Sequence, residues 1–524
     1  MELKNTVLGI ELGSTRIKAV LLNAAHNPIA SGSYEWENQL VQGIWTYSMN
    51  DINNGLRSCY AALKKDIMSK YGVVPTTYGA IGVSGMMHGY LPFDKNGKQL
   101  SEFRTWRNTM TGEAAQKLSA LFGSNIPQRW SIAHLYQAIL NGEEHVKNIA
   151  HLTTLAGYVH FMLTANRVMG VGEASGMFPI DSNTLDFDDT MLQKFDSIHG
   201  QPWKIRDILP TILPAGDIGG VLTEAGANFL DPSGDLLSGI PVAPCEGDAG
   251  TGMVATNSVR IGTGNVSAGT SNFAMVVIKH ALGVHSEIDM VTTPAGDPVA
   301  MVHCNNCTSD INAWINLFDE FAKLINVDID KEYLFNVLFK KALDGDPDCG
   351  GLLNYNYFSG EGITNLNEGR PAFIRTPNAQ FTLANFMRTH LLSSLATLKI
   401  GLDILWNEEG IQVDKIYGHG GFFKTPEVGQ RILSAAINSP VSVMKTAGEG
   451  GPYGMALLAA YMLWKQEDES LADYLDKSVF ANAESVTLSA NEEDVQGFNR
   501  FLSKYKAAFS VEKTAVEVVE CLKN

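Results

Sequence analysis

The sequence predicts an α/β protein built from two duplicated domains. The chain has 524 residues, too many for one compact core, so at least two domains are expected. A strand, a turn of glycine and two hydroxyl residues, and a second strand occur in "VLGIELGSTRIKAV" and again in "SVRIGTGNVSAGTSNFAMVVI". Such a repeat is typical of a duplicated domain, although turns of this composition also arise by coincidence. The two turns are Gly13, Ser14 and Thr15, and Gly269, Thr270 and Ser271.

The first domain opens with three predicted strands, "TVLGIEL", "IKAVLLN" and "IASGSYEW", the last two joined by the turn "AAHNP". A helix capped by Asn50 or Asp51 follows, and Gly72 ends it. "YGAIGVSG" then has the composition of a buried strand that ends in glycine. The apolar face of the helix is formed by Ile52, Leu56, Tyr60, Leu63 and Ile67.

The second domain repeats the hairpin and continues with helices. A long apolar helix is predicted over about 385–406, and a strand runs into glycines in "DKIYGHGGFF". "PEVGQRILSAAIN" predicts a helix, and "AGEGGPYGMALLAA" is a glycine-rich loop that opens into another. We expect domains over 1–256 and 257–465, and a more charged, helical appendage over 466–524.

The composition excludes several classes of partner. A formal net charge of -17 argues against nucleic acid or an anionic membrane as the main partner, but not against an anionic small ligand in a local pocket. The six cysteines are scattered, which favours a reducing compartment over a disulfide framework. The N-terminal stretch has no long apolar region, and the apolar run "MALLAAYMLW" is too short to span a membrane. We therefore expect a cytoplasmic protein.

The two glycine turns are candidate phosphate sites. Glycine exposes backbone N–H groups and lets a phosphate approach closely, and the neighbouring hydroxyls add donors. Two such turns could hold the phosphate chain of a nucleotide from both sides, with Lys18 close to the first turn in sequence. The chain has neither a P-loop motif nor a clean G-x-G-x-x-G after a strand, so those two means of binding nucleotides are unsupported.

Three further segments contain candidate catalytic or ligand-binding residues. In "IPVAPCEGDAGTGM", Asp248 stands where a strand leads into a helix. At this position it could act as a general base, bind a metal–phosphate, or only cap the helix. The loop "AGEGGPYG" feeds a helix N-terminus, which suits an anion or a ribose and also suits tight helix packing. His88 follows a strand end in "GVSGMMHGYLPFD", either for substrate contact or as a structural histidine.

Together these segments resemble the FGGY carbohydrate kinases, most closely the xylulokinase-like members, in the family's order from about Val7 to Trp464. "GIELGSTRIKAVL" and "VSAGTSNF" resemble the two phosphate motifs, and "GVSGMMHGYLPFD" and "FRTWRN" the sugar-contact segments. "GIPVAPCEGDAGTGM" resembles the segment of the catalytic base. "YGHGGFFKTPEVGQRILS" and "AGEGGPYGMALLAA" resemble the adenosine motifs.

The resemblance implies two actin/Hsp70-like domains of ribonuclease H-like fold, with ATP and a sugar in the cleft between them. The activity implied is transfer of the γ-phosphate of MgATP to a sugar hydroxyl, with Asp248 as the base and with Glu11 and Asp248 near the Mg²⁺. The sugar-binding residues implied are Met87, His88, Trp106, Asn108 and Asp248. The nucleotide-binding residues implied are Gly13, Ser14, Thr15, Lys18, Gly269, Thr270, Ser271, Gly420, Gly421, Gly450, Gly451 and Tyr453.

Three positions depart from the family's usual pattern. Glu11 stands where the family usually has aspartate, and Asn108 stands where it usually has the aspartate of Trp-x-Asp. Met110 replaces an arginine two positions later. The second and third changes remove a carboxylate and a cation from the expected sugar side, which argues against a standard D-xylulose site.

The sequence therefore leaves several functions open. A kinase for a ketopentose of the xylulose or ribulose type is the leading interpretation. A kinase for another ketose or polyol is an alternative to it. A catalytically weak member that binds sugar or nucleotide for regulation is the second, motivated by the three departures. A chaperone or filament ATPase of the same superfold is the third. Whether the chain forms a homodimer stays open.

Overall fold

The N-terminal half of the chain surrounds one twisted sheet, in a computed structural model that describes residues 2–444 and 450–520. Its strands are β1 (Val7–Leu12), β2 (Arg16–Leu22), β3 (Pro28–Glu35), β4 (Gln39–Val41), β5 (Ile44–Thr46), β6 (Ala80–Gly85), β7 (Leu91–Phe93), β8 (His151–Thr153), β9 (Val168–Gly170), β10 (Ile180–Asp181), β11 (Asp186–Phe187), β12 (Thr211–Leu213), β13 (Gly220–Val221), β14 (Pro241–Val242) and β15 (Glu246–Gly247). Its helices are α1 (Met49–Tyr71), α2 (Gly112–Phe122), α3 (Ser131–Leu140), α4 (Leu155–Thr164), α5 (Val171–Ala174), α6 (Asp189–His199), α7 (Ile205–Ile208), α8 (Glu224–Leu230) and α9 (Asp248–Ala255).

The C-terminal half surrounds a second sheet. Its strands are β16 (Thr263–Ala268), β17 (Asn272–Val277), β18 (Asp289–Thr292), β19 (Pro298–Cys304), β20 (Leu352–Tyr355), β21 (Ala372–Arg375), β22 (Lys415–His419), β23 (Val441–Met444) and β24 (Ser485–Leu488). Its helices are α10 (Ser309–Leu324), α11 (Lys331–Lys341), α12 (Leu383–Asp403), α13 (Val428–Ile437), α14 (Gly450–Trp464), α15 (Leu471–Tyr474), α16 (Glu492–Ala507) and α17 (Ser510–Val518). Within the described ranges, no helix combines the length and the apolarity needed to cross a bilayer.

The two sheets have the same topology. The first has the order β13-β14-β6-β1-β2-β3, and the second has β24-β23-β22-β16-β17-β19, extended by β18. In both, an antiparallel meander of three strands is joined through its first strand to two parallel strands, and an antiparallel strand closes that edge. The repeated hairpins seen in the sequence are the first hairpins of these two sheets. The predicted duplicated α/β architecture is confirmed.

Helix α1 begins earlier than the sequence predicted. Its N-cap is Ser48, whose hydroxyl accepts a hydrogen bond from the backbone N–H of Asp51 at 3.0 Å and donates one to the Asp51 carboxylate at 2.7 Å. The prediction of Asn50 or Asp51 as the cap was wrong, because the Ser48 hydroxyl already satisfies the Asp51 N–H and the helix begins before those residues. Gly72 ends the helix in a left-handed conformation, as predicted.

Helix α14 follows the second sheet along the chain but packs against β1, β6 and α9 of the first half. The close approach depends on glycine on both sides. A Cβ on Gly9 of β1 would overlap the carbonyl oxygen of Pro452 in α14. A Cβ on Gly454 of α14 would overlap the carbonyl oxygen of Thr251 in α9. Backbone atoms cannot move aside as a flexible side chain can, so these glycines fix where α14 lies.

The segment after α14 contributes to the second half as well. Strand β24 pairs with β23 at the edge of the second sheet, and α16 packs against α13. The buried carboxylate of Asp494 on α16 is bonded to Arg388 of α12 at 2.5 Å and to Arg431 of α13 at 2.7 Å. The segment 466–524, expected as an appendage, therefore shares buried ion pairs with the helices that cover the second sheet over its described residues.

We expect Gly454→Ala to lower the free energy of unfolding by about 2–3 kcal/mol, because the added methyl forces α14 away from α9. The matched control is Gly252→Ala on α9, where the nearest atom to an added Cβ is 4.0 Å away. That change should leave stability unchanged or raise it by up to about 1 kcal/mol through helix propensity. Urea denaturation of both variants measures the difference. Equal stability of the two would contradict the packing described.

Candidate active site

The two glycine turns occupy equivalent places in the two sheets. The first joins β1 to β2 and is closed by a hydrogen bond from Gly13 N–H to the Arg16 carbonyl at 3.1 Å. The second joins β16 to β17 and is closed from Gly269 N–H to the Ser271 carbonyl at 2.9 Å. A Cβ on Gly269 would meet no atom within 4 Å, so the space in front of this turn is open. Thr15 and Thr270 at the two turns are exposed.

Aromatic donors hold the first turn in place. The indole of Trp36 donates to the Gly13 carbonyl at 2.7 Å, and the Tyr47 hydroxyl donates to the Ser14 carbonyl at 2.5 Å. The indole of Trp106, a predicted sugar-contact residue, donates to the Ser14 hydroxyl at 3.3 Å. The predicted sugar segment and the predicted phosphate turn are therefore in direct contact. Sequence reasoning did not find Trp36 and Tyr47, because neither belongs to a motif.

Asp248 is the first residue of α9, and Gly247 is the N-cap. The alternative that Asp248 serves only as the cap is therefore wrong. Its half-buried carboxylate accepts a hydrogen bond from Met87 N–H at 3.2 Å, which links the helix start to the predicted sugar segment. Burial raises the pKa of Asp248 to about 6. A carboxylate with a pKa near neutrality is suited to accept a proton during catalysis.

Glu11 is the one residue of β1 that is not fully buried. It pairs in register with Lys18 on β2 and with Ser84 on β6. Its carboxylate faces the start of α14, where a Cβ on Gly451 would overlap Oε1. Burial, followed by the charge of Asp248, raises the pKa of Glu11 to about 7, although the charge of Lys18 lowers it. The carboxyl groups of Glu11 and Asp248 thus interact electrostatically near the first phosphate turn.

Two more carboxyl groups lie behind Asp248. Glu246 accepts hydrogen bonds from Gly172 N–H at 3.3 Å and Glu173 N–H at 2.8 Å, and burial raises its pKa to about 8. Glu173 is fully buried, and burial together with the charges of Glu246 and Asp248 raises its pKa well above the ordinary value. Sequence reasoning missed this pair. Glu246 stands inside the quoted segment of the base, but nothing in the sequence places Glu173 beside it.

The predicted sugar residues Met87 and His88 lie just after β6, and both are buried. His88 has a φ of +69° and uses both ring nitrogens: Nδ1 bonds the Gly176 carbonyl at 3.1 Å, and Nε2 lies 3.2 Å from Arg129 Nε. Burial and the charge of Arg129 hold the pKa of His88 well below its usual range, so the ring is neutral. In this arrangement the ring has no free nitrogen for a sugar hydroxyl.

The amide of Asn108 is also largely engaged. Nδ2 donates to the carbonyls of Trp45 at 2.8 Å and Thr105 at 3.0 Å, and Oδ1 accepts from Trp45 N–H at 2.9 Å. The residue is 3% exposed, so one lone pair on Oδ1 is all that it offers to a sugar. Arg107 is exposed and stacks over the Trp45 ring, 3.9 Å from the centroid. Met110 is exposed.

The predicted adenosine residues lie in two places: after β22, beside the second phosphate turn, and at the start of α14, which packs against the first sheet. Gly420 has a φ of +97°, and a Cβ there would come within 2.5 Å of the Ala268 carbonyl oxygen, next to the second phosphate turn. Gly421 follows in a short helical turn after β22. Gly450 and Gly451 begin α14, and Tyr453 is buried in its first turn. Residues 445–449, the preceding part of the predicted loop, lie outside the described residues.

Two sheets that share one topology, a glycine turn in the first hairpin of each, and two carboxyl groups of raised pKa near the first turn define a two-domain protein of the actin/Hsp70-like fold class. The N-terminal domain model of the FGGY family of carbohydrate kinases matches residues 6–255, and the C-terminal domain model matches residues 264–463. The chain belongs to the FGGY family of carbohydrate kinases. It is a sugar kinase, and ATP is the co-substrate of this family.

Proteins that are similar to this chain in sequence or structure are named as kinases of different substrates. A xylulose kinase of Haemophilus influenzae is 22% identical over 487 residues, which cover 89% of this chain and 92% of that protein. A ligand-bound xylulose kinase structure from Lactobacillus acidophilus has a TM-score of 0.77 at 15% identity, over 97% of this chain and 98% of that one. A gluconate kinase structure from the same organism has the same TM-score and coverage at 17% identity.

Proposed function

We propose that this sugar kinase transfers the γ-phosphoryl group of MgATP to a hydroxyl of a ketopentose of the xylulose or ribulose type. The observation that carries the proposal is that Glu11 and helix α9, which begins at Asp248, converge on Gly451 at the start of α14, near the first phosphate turn. In this proposal Asp248 accepts the proton of the attacking hydroxyl. The backbone N–H and hydroxyl groups of the two turns hold the phosphate chain, and closure of the domains excludes water.

Mg²⁺ fits the residues at this site. Glu11 and Asp248 present half-buried carboxyl oxygens, which are the donors that Mg²⁺ prefers. No group of three or more His, Cys, Asp or Glu arranged for a metal occurs within the described ranges, and Mg²⁺ needs none, because it commonly binds through one or two carboxylates, substrate phosphates and water. When bound, the ion neutralises phosphate charge and makes the γ-phosphorus a better electrophile.

The remaining predicted residues complete the proposed site. Met87 and Trp106 border the sugar through their contacts with Asp248 and Ser14, and Asn108 offers its one remaining lone pair. We assign the sugar, the first phosphate turn and the base to domain 1–256, and the second turn to domain 257–465. The adenosine we assign to Gly420, Gly421 and the start of α14. The five cysteines of the described residues are buried and unpaired, which supports a reducing, cytoplasmic location.

The choice of a ketopentose rests on relatives with that printed name, and the departures at Asn108 and Met110 weigh against a standard xylulose site. A kinase of another ketose or polyol is therefore the second candidate, since a gluconate kinase matches the fold as well as a xylulose kinase does and the fold alone does not select the acceptor. A regulatory member with weak catalysis is less well supported, because Asp248 and both phosphate turns are present in accessible positions.

The experiment that tests the proposal is coupled ADP release with MgATP against a panel of ketopentoses, deoxy-ketohexoses, gluconate and glycerol. We expect a ketopentose to stimulate turnover by the largest factor over the ATP-only background. Strong stimulation by gluconate or glycerol alone would contradict the ketopentose and keep the kinase. If no member of the panel stimulates turnover, the catalytic proposal fails and the regulatory alternative gains support.

A further inference from the structure

A chain of hydrogen bonds connects His88, a predicted sugar residue, to the other half of the molecule. Arg129 precedes α3 in the first half, and Asp289 is the first residue of β18 in the second. The guanidinium of Arg129 bonds His88 through Nε and the Asp289 carboxylate through Nη2. One side chain therefore joins the predicted sugar segment to an edge strand of the second sheet.

Arg129 and the Gly176 carbonyl select the same tautomer of His88. A guanidinium has only N–H donors, so His88 Nε2 must act as the acceptor of this bond. Nδ1 then carries the proton and donates it to the Gly176 carbonyl, 3.1 Å away. The positive φ of His88 sets where the ring lies. The Gly176 carbonyl only accepts, so it too requires the proton on Nδ1, and the arginine supplies the charged donor that holds Nε2.

The acidic end of the chain is also firmly held. Asp289 is 6% exposed, and its Oδ1 accepts a hydrogen bond from Asn125 Nδ2 at 3.1 Å. Asn125 donates in addition to the carbonyl of Ile288 at 3.0 Å. A buried carboxylate requires a partner, and removing the arginine would leave its charge uncompensated. The Arg129–Asp289 ion pair therefore stabilises the contact between β18 and the first half of the chain.

The other end of β18 binds the segment that holds His88. Thr292 N–H donates to the Ser175 hydroxyl at 3.1 Å, and the Thr292 hydroxyl donates to the Val171 carbonyl at 3.1 Å. Ser175 directly precedes Gly176, the acceptor of the His88 bond. The contacts thus form a closed circuit from β18 through residues 171–176, His88 and Arg129 back to β18.

We propose that Arg129 is a positioning residue that couples the orientation of His88 to the docking of β18 against the first domain. This proposal rests on the proposed function, because it takes the buried His88 ring to shape the sugar side of the cleft next to Met87 without bonding the sugar itself. When β18 is docked, Asp289 orients the guanidinium, the guanidinium holds Nε2 of the His88 ring, and the sugar side of the cleft takes its working shape. The two domains are then coupled at the sugar side of the cleft.

The coupling predicts a specific pattern in steady-state kinetics. Arg129→Lys and Arg129→Gln should both lower kcat/KM for the sugar by about 10²-fold, since misplacement of about 1 Å costs that much, while KM for ATP stays unchanged. Lysine should not rescue, because one ammonium group cannot bond His88 and Asp289 in the fork geometry of arginine. Asp289→Asn should have a similar effect, and the double variant Arg129→Gln/Asp289→Asn should be no worse than either change alone.

A second readout is independent of activity. In protein labelled with [15N]histidine, His88 should show a protonated Nδ1 and an unprotonated Nε2, with its signals assigned by their loss in His88→Gln. Arg129→Gln should move the Nε2 signal, because the charged donor to that nitrogen is lost, while Gly176 keeps the proton on Nδ1. This measurement tests the positioning role even if no sugar in the panel is turned over, so failure of the two proposals can be distinguished.

The matched control is Arg206→Gln, which removes an exposed arginine–aspartate pair with Asp186 in the same domain and should change neither readout. Wild-type sugar kinetics in Arg129→Lys would overturn the proposal, as would additive effects in the double variant. It would also be overturned by an unchanged histidine spectrum in Arg129→Gln, or by equal losses in the sugar and ATP parameters that parallel a fall in melting temperature.

Discussion

Asp248→Asn loses nearly all sugar phosphorylation and still binds ATP. The asparagine amide has the shape of the carboxyl group and can accept the hydrogen bond from Met87 N–H, but it cannot accept a proton at neutral pH. We expect kcat to fall by about 10²–10⁴-fold, the usual contribution of a general base. The ATP affinity should change little, because the two phosphate turns are left intact.

The measurement combines steady-state turnover with calorimetric titration of ATP into the variant. Asp297→Asn is the matched control, because burial also raises the pKa of Asp297, but that residue lies in the turn between β18 and β19, outside the proposed site. The control should keep wild-type turnover. Wild-type turnover in Asp248→Asn would instead exclude Asp248 as the base.

Glu11→Gln is expected to weaken Mg²⁺-dependent turnover, with the apparent Mg²⁺ constant raised by at least about tenfold, the size of effect seen when metal-site groups are altered. Glutamine keeps the length and shape of the side chain beside Gly451 but removes the charge. Glu11→Asp should be tolerated, because it keeps the carboxylate on a side chain shorter by one methylene. Initial rates over a range of Mg²⁺ concentrations at saturating ATP measure the effect.

Glu35→Gln is the control for this series. Glu35 lies on β3 next to the same hairpin and pairs with Arg16 on the surface, where such pairs contribute little. Its removal should leave the Mg²⁺ dependence unchanged. Should Glu11→Gln respond to Mg²⁺ as the wild type does, the Glu11 carboxylate is structural and the metal site must be placed elsewhere.

The local parts of the fold were predictable from the sequence. Alternating and apolar runs bounded by Gly13 and Gly269 indicated the two hairpins, because strand and turn signals lie within a few residues of one another. Boundaries were harder to predict. Ser48 caps α1, where Asn50 or Asp51 was expected, because several residues in a row can cap a helix and only the geometry selects one.

Long-range packing could not be predicted in this way. Helix α14 was expected after a glycine-rich loop, but its position against the first sheet depends on Gly9 and Gly454, which are far apart in the chain. Its composition is apolar all round, so no face of the helix indicated a partner.

The candidate site likewise has a part that the sequence motifs predict and a part that depends on distant segments. Motifs placed Asp248, Glu11 and the two turns, because their residue types follow one another in order along the chain. The environments that set their chemistry come from distant segments, such as Glu173 beside Glu246 and Trp36 under the first turn. His88 was predicted as a sugar contact, and the bond that engages its Nε2 comes from Arg129, 41 positions away.

Direct detection of the product tests the central claim most closely. Phosphorus NMR of the wild-type enzyme with MgATP and the preferred ketopentose should show a sugar phosphate ester appearing at the rate at which ATP is lost. Asp248→Asn under the same conditions should show no ester above background. Conversion of ATP to ADP and inorganic phosphate without any sugar phosphate ester would contradict the assignment as a sugar kinase. Equal ester formation by Asp248→Asn would contradict the role of Asp248 as the base.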